Sequence, residues 1–168
     1  MVKPVLVGAI SDTHDNLPMV DKAIKRLNEE KVGLVLHAGD YVAPFVIPHF
    51  KALNAKLIGV FGNNDGDHEL LKKRFGETQN CEVRGRFALV DVGGFRIALL
   101  HGDETELLNA LVECGGFDAV VHGHTHASVA NSGKTLVVNP GEVCGYLTGN
   151  ATLAVLDTVK REARIVQI

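Results

Sequence analysis

Asp12 and His14 are separated by one residue, and so in turn are His122, His124 and His126. Between these clusters lie Asp40 behind Gly39, Asn63 behind Gly62, and His101 before Gly102. Carboxylates, an amide oxygen and imidazole nitrogens in this mix suit a divalent transition metal (manganese, iron, zinc, cobalt or nickel) better than magnesium or calcium. In extended backbone residues i and i+2 point the same way, so Asp12 and His14 are expected to reach one ion. Asp40 stands behind a glycine that lets backbone come close, and a lone carboxylate can bridge two ions through its two oxygens. The seven candidates Asp12, His14, Asp40, Asn63, His101, His124 and His126 are too many for one tetrahedral ion. They fit two ions about 3.5–4 Å apart that share a carboxylate. Such a pair suits phosphoryl transfer: it lowers the pKa of a bridging water and stabilises the charge that grows on the phosphoryl oxygens. No covalent nucleophile is needed. The chain has no GxSxG elbow, and Gly62 to Asp67 lacks the lysine of a P-loop.

Each candidate lies just past a short apolar run. Val5–Ile10 leads to Asp12 and His14, and Val32–Leu36 to His37 and Asp40. Leu57–Phe61 leads to Asn63, Phe95–Leu100 to His101, and Ala119–Val121 to His122–His126. Short apolar runs ended by turn residues read as buried strands. In open α/β sheets the ligand site lies beyond the carboxyl ends of the strands. Between the runs, Asn16 or Asp15 can cap a helix with Pro18 in its first turn and Val20, Ala23, Ile24 and Leu27 on one face, running to Glu30. Pro44 starts a short helix that Pro48 limits. Asp67 can cap a helix holding Leu70, Leu71 and Phe75, with Gly76 behind it.

Phe87–Val92, Gly93-Gly94 and Phe95–Leu100 read as a β-hairpin. Thr105 caps a helix with Leu107, Leu108 and Leu111, ended by Gly115-Gly116. The last third reads as strands at Ser128–Asn131, Thr135–Asn139, Thr152–Asp157 and Ala163–Gln167, with turns at Ser132-Gly133 and Thr158–Glu162. One sheet does not easily take so many strands. The expected class is therefore α/β, two stacked mixed sheets with helices on the outer faces.

At 168 residues the expectation is one domain, 1–168. A net charge of -3 and the lack of a basic stripe argue against a dedicated nucleic-acid surface. They leave room for a small phosphoester, because bound metals add local positive charge. Cys81, Cys114 and Cys144 form no CxxC pair and read as reduced thiols. Met1–Ile10 is too short for a signal peptide, and no apolar stretch reaches the roughly 20 residues of a membrane span. The expectation is a cytoplasmic protein without a membrane partner.

Taken singly, each candidate has a plainer use. Asp12 could cap a helix, Asp40 and Asn63 could serve turns, and His101 could be a satisfied core residue. The same habit at five strand ends favours a metal site. His37 and His122 read as supporting or packing residues. Asp65 reads as a supporting or turn residue, and His49, His68 and Lys72-Lys73-Arg74 as solvated.

The ordered set Asp-x-His at 12–14, Gly-Asp at 39–40, Gly-Asn-x-Asp at 62–65, His-Gly at 101–102 and Gly-His-x-His at 123–126 resembles the calcineurin-like metallophosphoesterases. More narrowly it is similar to the small YfcE-like phosphodiesterases, which share Asn139-Pro140-Gly141. The resemblance implies a four-layer α-β-β-α sandwich with a dinuclear centre. One metal would take Asp12, His14, Asp40 and His126, and the other Asp40, Asn63, His101 and His124. It implies a phosphodiesterase that attacks a small phosphoester with a metal-bridging hydroxide, manganese being the first expected metal. Asp40 as the bridge and Asn64 as a phosphate contact are the expected catalytic residues. Small members often self-associate, which makes a homodimer the expected assembly. A phosphomonoesterase of the same fold is the near alternative. A non-catalytic interaction scaffold, as in the retromer subunit of this fold, is the alternative from another class, and the whole ligand set here speaks against it.

Three positions depart from the pattern. Asn64 stands where many members carry His, Asp103 where related sequences often carry a second His, and Glu142 where Ser is common after Asn-Pro-Gly. Asn can donate a hydrogen bond but cannot supply a proton. The general acid and the substrate class stay open, with water, His68 or Asp67 as candidates for the acid.

Overall fold

Alternation along the strands decides the architecture. In the computed structural model, which describes residues 5–168, β1 (Leu6–Ile10) turns Val7 and Ala9 to one side and Ile10 to the other. Both sides are buried, which is why the run is apolar throughout rather than alternating. The first sheet has the order β11 (Glu162–Gln167), β10 (Thr152–Asp157), β1, β2 (Leu34–His37), β3 (Lys56–Gly59), β4 (Cys81–Val83). Strands β1 to β4 run parallel, while β10 is antiparallel to β1 and β11 to β10. The second sheet has the order β5 (Phe87–Val92), β6 (Phe95–Leu100), β7 (Ala119–Val121), β9 (Leu136–Asn139), β8 (Val129–Asn131). Its three central strands are parallel and its two edges antiparallel. Both sheets are mixed, as expected.

One core lies between the sheets, where Val7, Ala9, Leu36, Ile58, Ala154 and Leu156 meet Ala88, Ile97, Leu99, Val121 and Val138. A second lies between the first sheet and its helices. There α1 (Leu17–Glu29) buries Val20, Ala23, Ile24 and Leu27. A Cβ on Gly8 would overlap the Leu27 side chain, so the missing side chain is the seat of that leucine. On the far face of the second sheet, α3 (Thr105–Glu113) packs Leu108, Leu111 and Val112 against Ala98, Leu100 and Val120. Helices, sheet, sheet and helix make the four layers.

Several local expectations are corrected. Pro48 does not end the helix begun at Pro44: a 3-10 helix spans Pro44–Ala52. The proline removes one donor, but the buried Val46, Ile47 and Phe50 hold the segment to the core in the tighter form. Asn16 sits at the N-cap of α1 without capping it, because its Nδ2 donates to the Cys144 carbonyl at 2.9 Å. The residue before α3 is Glu104, with Thr105 already inside the helix. Asp67 does cap α2 (His68–Gly76), its Oδ1 accepting from Leu70 N at 2.9 Å. His68 is not simply solvated, since its half-buried ring stacks on Phe61 with centroids 4.0 Å apart. The three-residue β4 was too short to read as a strand. Among the described residues no helix is long and apolar enough to cross a membrane.

Candidate metal centre

The parallel strands end on one rim, and the residues beyond their carboxyl ends converge there. Asp12 and His14 follow β1, Asp40 follows β2, and Asn63 follows β3. His101 follows β6, and His124 and His126 follow β7. Asp40 lies at the middle: its Oδ2 is 3.5 Å from His14 Nε2 and 3.4 Å from His101 Nε2. On one side, Asp12 Oδ1 lies 3.7 Å from His14 Nε2 and 3.4 Å from His126 Nε2. On the other, Asn63 Oδ1 lies 2.9 Å from His101 Nε2 and 3.1 Å from His124 Nδ1. All seven residues named from the sequence are thus brought together, Asp12, Asp40 and His101 fully buried, His14, His124 and His126 half-buried, and Asn63 exposed.

Asp12 and His14 meet by another route than the expected extended pair. Both sit in left-handed backbone, with φ of 53° and 41°. Asp40, His124 and His126 share this conformation, at 62°, 70° and 61°. Non-glycine residues there cost of order 1–3 kcal/mol each and persist only where the surroundings hold them, commonly at functional sites. Asp65 is one such restraint. Its buried carboxylate accepts from Gly62 N at 2.7 Å, Val42 N at 2.8 Å and Asp40 N at 3.1 Å. It therefore braces the Asp40 turn and is not placed as a ligand. His37 is another: its Nδ1 accepts from Gly39 N at 3.1 Å. Burial drives its pKa down to about 3 and keeps it neutral.

The donor set fits divalent cations. Asp12 Oδ1 and His14 Nε2 are buried and have no hydrogen-bond partner among the described residues, a costly state unless something outside the protein satisfies them. His101 donates Nδ1–H to the Ala38 carbonyl at 2.8 Å. In the neutral ring that leaves the Nε2 lone pair facing two more acceptors, the oxygens of Asp40 and Asn63. Acceptors that converge without protons between them call for a cation. Burial works against the Asp40 charge, but His101, when protonated, and two donors from Asn64 hold its carboxyl far below the usual range.

Two residues behave differently from their sequence reading. Asn64, expected on the phosphate, also gives two of its three N–H groups to Asp40, backbone N to Oδ1 at 2.9 Å and one Nδ2–H to Oδ2 at 2.8 Å. Glu142, noted only as a departure, is fully buried and accepts from the metal-ligand candidate His126 at Nδ1, 2.5 Å away. Burial opposes its charge, yet His126, Thr148 and Cys144 hold its pKa down at about 2. The one sequence signal was a carboxylate placed two residues past a proline on a loop expected near the site.

The sequence pattern of the calcineurin-like phosphoesterase superfamily domain matches residues 5–161. The phosphodiesterase MJ0936 of Methanocaldococcus jannaschii is 42% identical over 159 residues, 94% of this chain and 96% of that protein. A solved structure of a novel archaeal phosphodiesterase superposes with a TM-score of 0.92 at 40% identity, over 98% of this chain and 100% of that one. The phosphoesterase YfcE of E. coli shares the fold, with a TM-score of 0.64 at 19% identity and 98% coverage of each chain.

Proposed function

The chain belongs to the calcineurin-like phosphoesterase superfamily, and from that premise we propose that it is a dinuclear metal-dependent phosphodiesterase. The observation that carries this reading is Asp40 Oδ2, placed 3.5 Å from His14 on one side and 3.4 Å from His101 on the other. In this reading Asp12, His14, Asp40 and His126 hold one ion, and Asp40, Asn63, His101 and His124 the other. The ions, when bound, activate water near neutral pH and offset phosphoryl charge; manganese is the first choice, with nickel, iron, zinc or cobalt as alternatives. Placement in the cytoplasm belongs to the same proposal and rests on three unpaired thiols, Cys81, Cys114 and Cys144.

What the chain itself adds is orientation. Asn64 clamps Asp40 with two hydrogen bonds. It lacks a proton to give, so it orients Asp40 and a phosphoryl oxygen but does not protonate the leaving group. The two side chains considered as acids are otherwise engaged: Asp67 caps α2, and His68 lies flat on Phe61. Substrates whose ester oxygen leaves without acid help are therefore favoured.

The test compares an activated aryl phosphodiester with the matching monoester, on chelated protein resupplied with single metals. Chelation is expected to abolish turnover, Mn²⁺ or Ni²⁺ to restore it best, and the diester to react faster. Faster monoester hydrolysis would reassign the enzyme as a monoesterase. Metal binding with no turnover of either ester would favour a scaffold.

A further inference from the structure

Glu142 is an unexpected residue to bury, and every group around its carboxylate is a donor. Oε2 accepts from His126 Nδ1 at 2.5 Å and Cys144 Sγ at 3.2 Å. Oε1 accepts from Leu147 N at 3.0 Å, Thr148 N at 2.6 Å and Thr148 Oγ1 at 2.7 Å. An ionised carboxylate is the side chain that offers only acceptors, on two oxygens. A serine is too short to reach both sides, and a glutamine would turn its NH₂ toward one set of donors.

On the His126 side, an acceptor-only partner requires the proton to sit on Nδ1. The Nε2 lone pair is then the ligating one, and it faces Asp12 Oδ1 at 3.4 Å. The other side of the carboxylate holds the segment 144–150 against the same rim. That segment is also tied to the end of β1, with Cys144 N donating to the Asp12 carbonyl at 3.1 Å and Asn16 Nδ2 donating to the Cys144 carbonyl at 2.9 Å. It carries Tyr146 and Leu147, 63% and 75% exposed. Two large apolar side chains left in solvent thus sit on a segment only two hydrogen bonds away from a metal-ligand candidate.

We propose that Glu142 is a positioning residue with two faces, one fixing the tautomer and aim of His126 and the other pinning the Tyr146–Thr148 segment as a rim of the substrate site. The proposal rests on the two-ion reading above. Its first consequence is on metal affinity, because partners that orient a ligand imidazole typically matter by about 10–100-fold. Its second is on substrate binding at the rim, read as KM.

The test titrates the chelated protein with Mn²⁺ by calorimetry and measures kcat and KM for the aryl diester. Glu142→Gln is expected to weaken Mn²⁺ binding by about 10–100-fold and to raise KM. Thr148→Val, which removes one rim donor, is expected to raise KM with Mn²⁺ affinity within about twofold of the parent. In a His126→Ala background, Glu142→Gln is expected to add less than about twofold to the loss of Mn²⁺ affinity, because coupled residues are not additive. An equal loss in both backgrounds, or Thr148→Val weakening the metal as much as Glu142→Gln, would assign Glu142 a merely structural role and overturn the proposal. Should Glu142→Gln not fold, ¹⁵N NMR of the parent protein decides: an Nδ1–H tautomer of His126 supports the proposal and an Nε2–H tautomer overturns it. If the parent protein bound no Mn²⁺ at all, the two-ion reading would fall first and this proposal with it. A parent that binds Mn²⁺ beside an unaffected Glu142→Gln would defeat this proposal alone.

Discussion

Asp40→Ala is expected to lower turnover of an activated phosphodiester by at least about three orders of magnitude at saturating Mn²⁺. The figure follows from asking one carboxylate to serve both ions, since metal stabilisation of the transition state is worth several kcal/mol and each 1.36 kcal/mol is about tenfold. The residue has no competing structural task on the same scale. Its oxygens face His14 and His101 and, among the described residues, accept hydrogen bonds from Asn64. The turn itself is held by Asp65 and His37 through Asp40 N and Gly39 N. The variant should therefore fold with near-parent circular dichroism, bind fewer than two Mn²⁺ per chain, and stay nearly inactive. Near-normal kcat at saturating metal would remove the bridge from the mechanism.

Gly62→Ala is expected to do comparable harm by a steric route. A Cβ there would overlap Asp40 Oδ1 and come within 2.7 Å of Asp40 N and 2.9 Å of its Cγ. The neighbouring turn has no slack, because Gly39, at a φ of +100°, already approaches so closely that its own Cβ would stand 2.6 Å from Gly62 N. To admit a methyl, the turns bearing Asp40 and Asn63 must separate, and the two share the second half of the proposed site. Overpacking of this kind costs about 1–3 kcal/mol, and the upper end applies where the obstacle is backbone. The expected result is a melting point lower by about 2–4 °C per kcal/mol, with most Mn²⁺ affinity and turnover gone. Gly76→Ala is the control: that glycine ends α2 with none of the described residues within 4 Å of an added Cβ, so melting point and turnover should stay near the parent values. Equal behaviour of the two variants would show that the close approach of the turns does not matter.

How much of this was legible in the sequence depended on where each device stores its information. The site candidates could be read because an apolar run that stops at a polar cluster marks a strand end, and parallel strands deliver their carboxyl ends to one rim. The same runs could not say which strands share a sheet: Leu57–Phe61 and Phe95–Leu100 look alike, yet β3 and β6 lie in different layers. The left-handed backbone at Asp12, His14, Asp40, His124 and His126 gave no warning, since glycine is the usual marker and none of these is glycine. Asp65 could be read as a supporting or turn residue but not which groups it holds, and the role of Glu142 was hidden altogether. Their work is accepting backbone N–H groups and, for Glu142, a histidine ring from 16 residues away, and such partners leave no spacing to read. Pro48 misled because proline predicts the loss of a donor but not how firmly neighbouring apolar side chains hold the chain.

A pair of ions with Asp40 between them would be visible in anomalous diffraction from crystals of the Mn²⁺-loaded protein. Two peaks about 3.5–4 Å apart are expected, one against Asp12, His14 and His126, the other against Asn63, His101 and His124, with Asp40 in contact with both. A single peak, or two peaks that do not share Asp40, would contradict this arrangement.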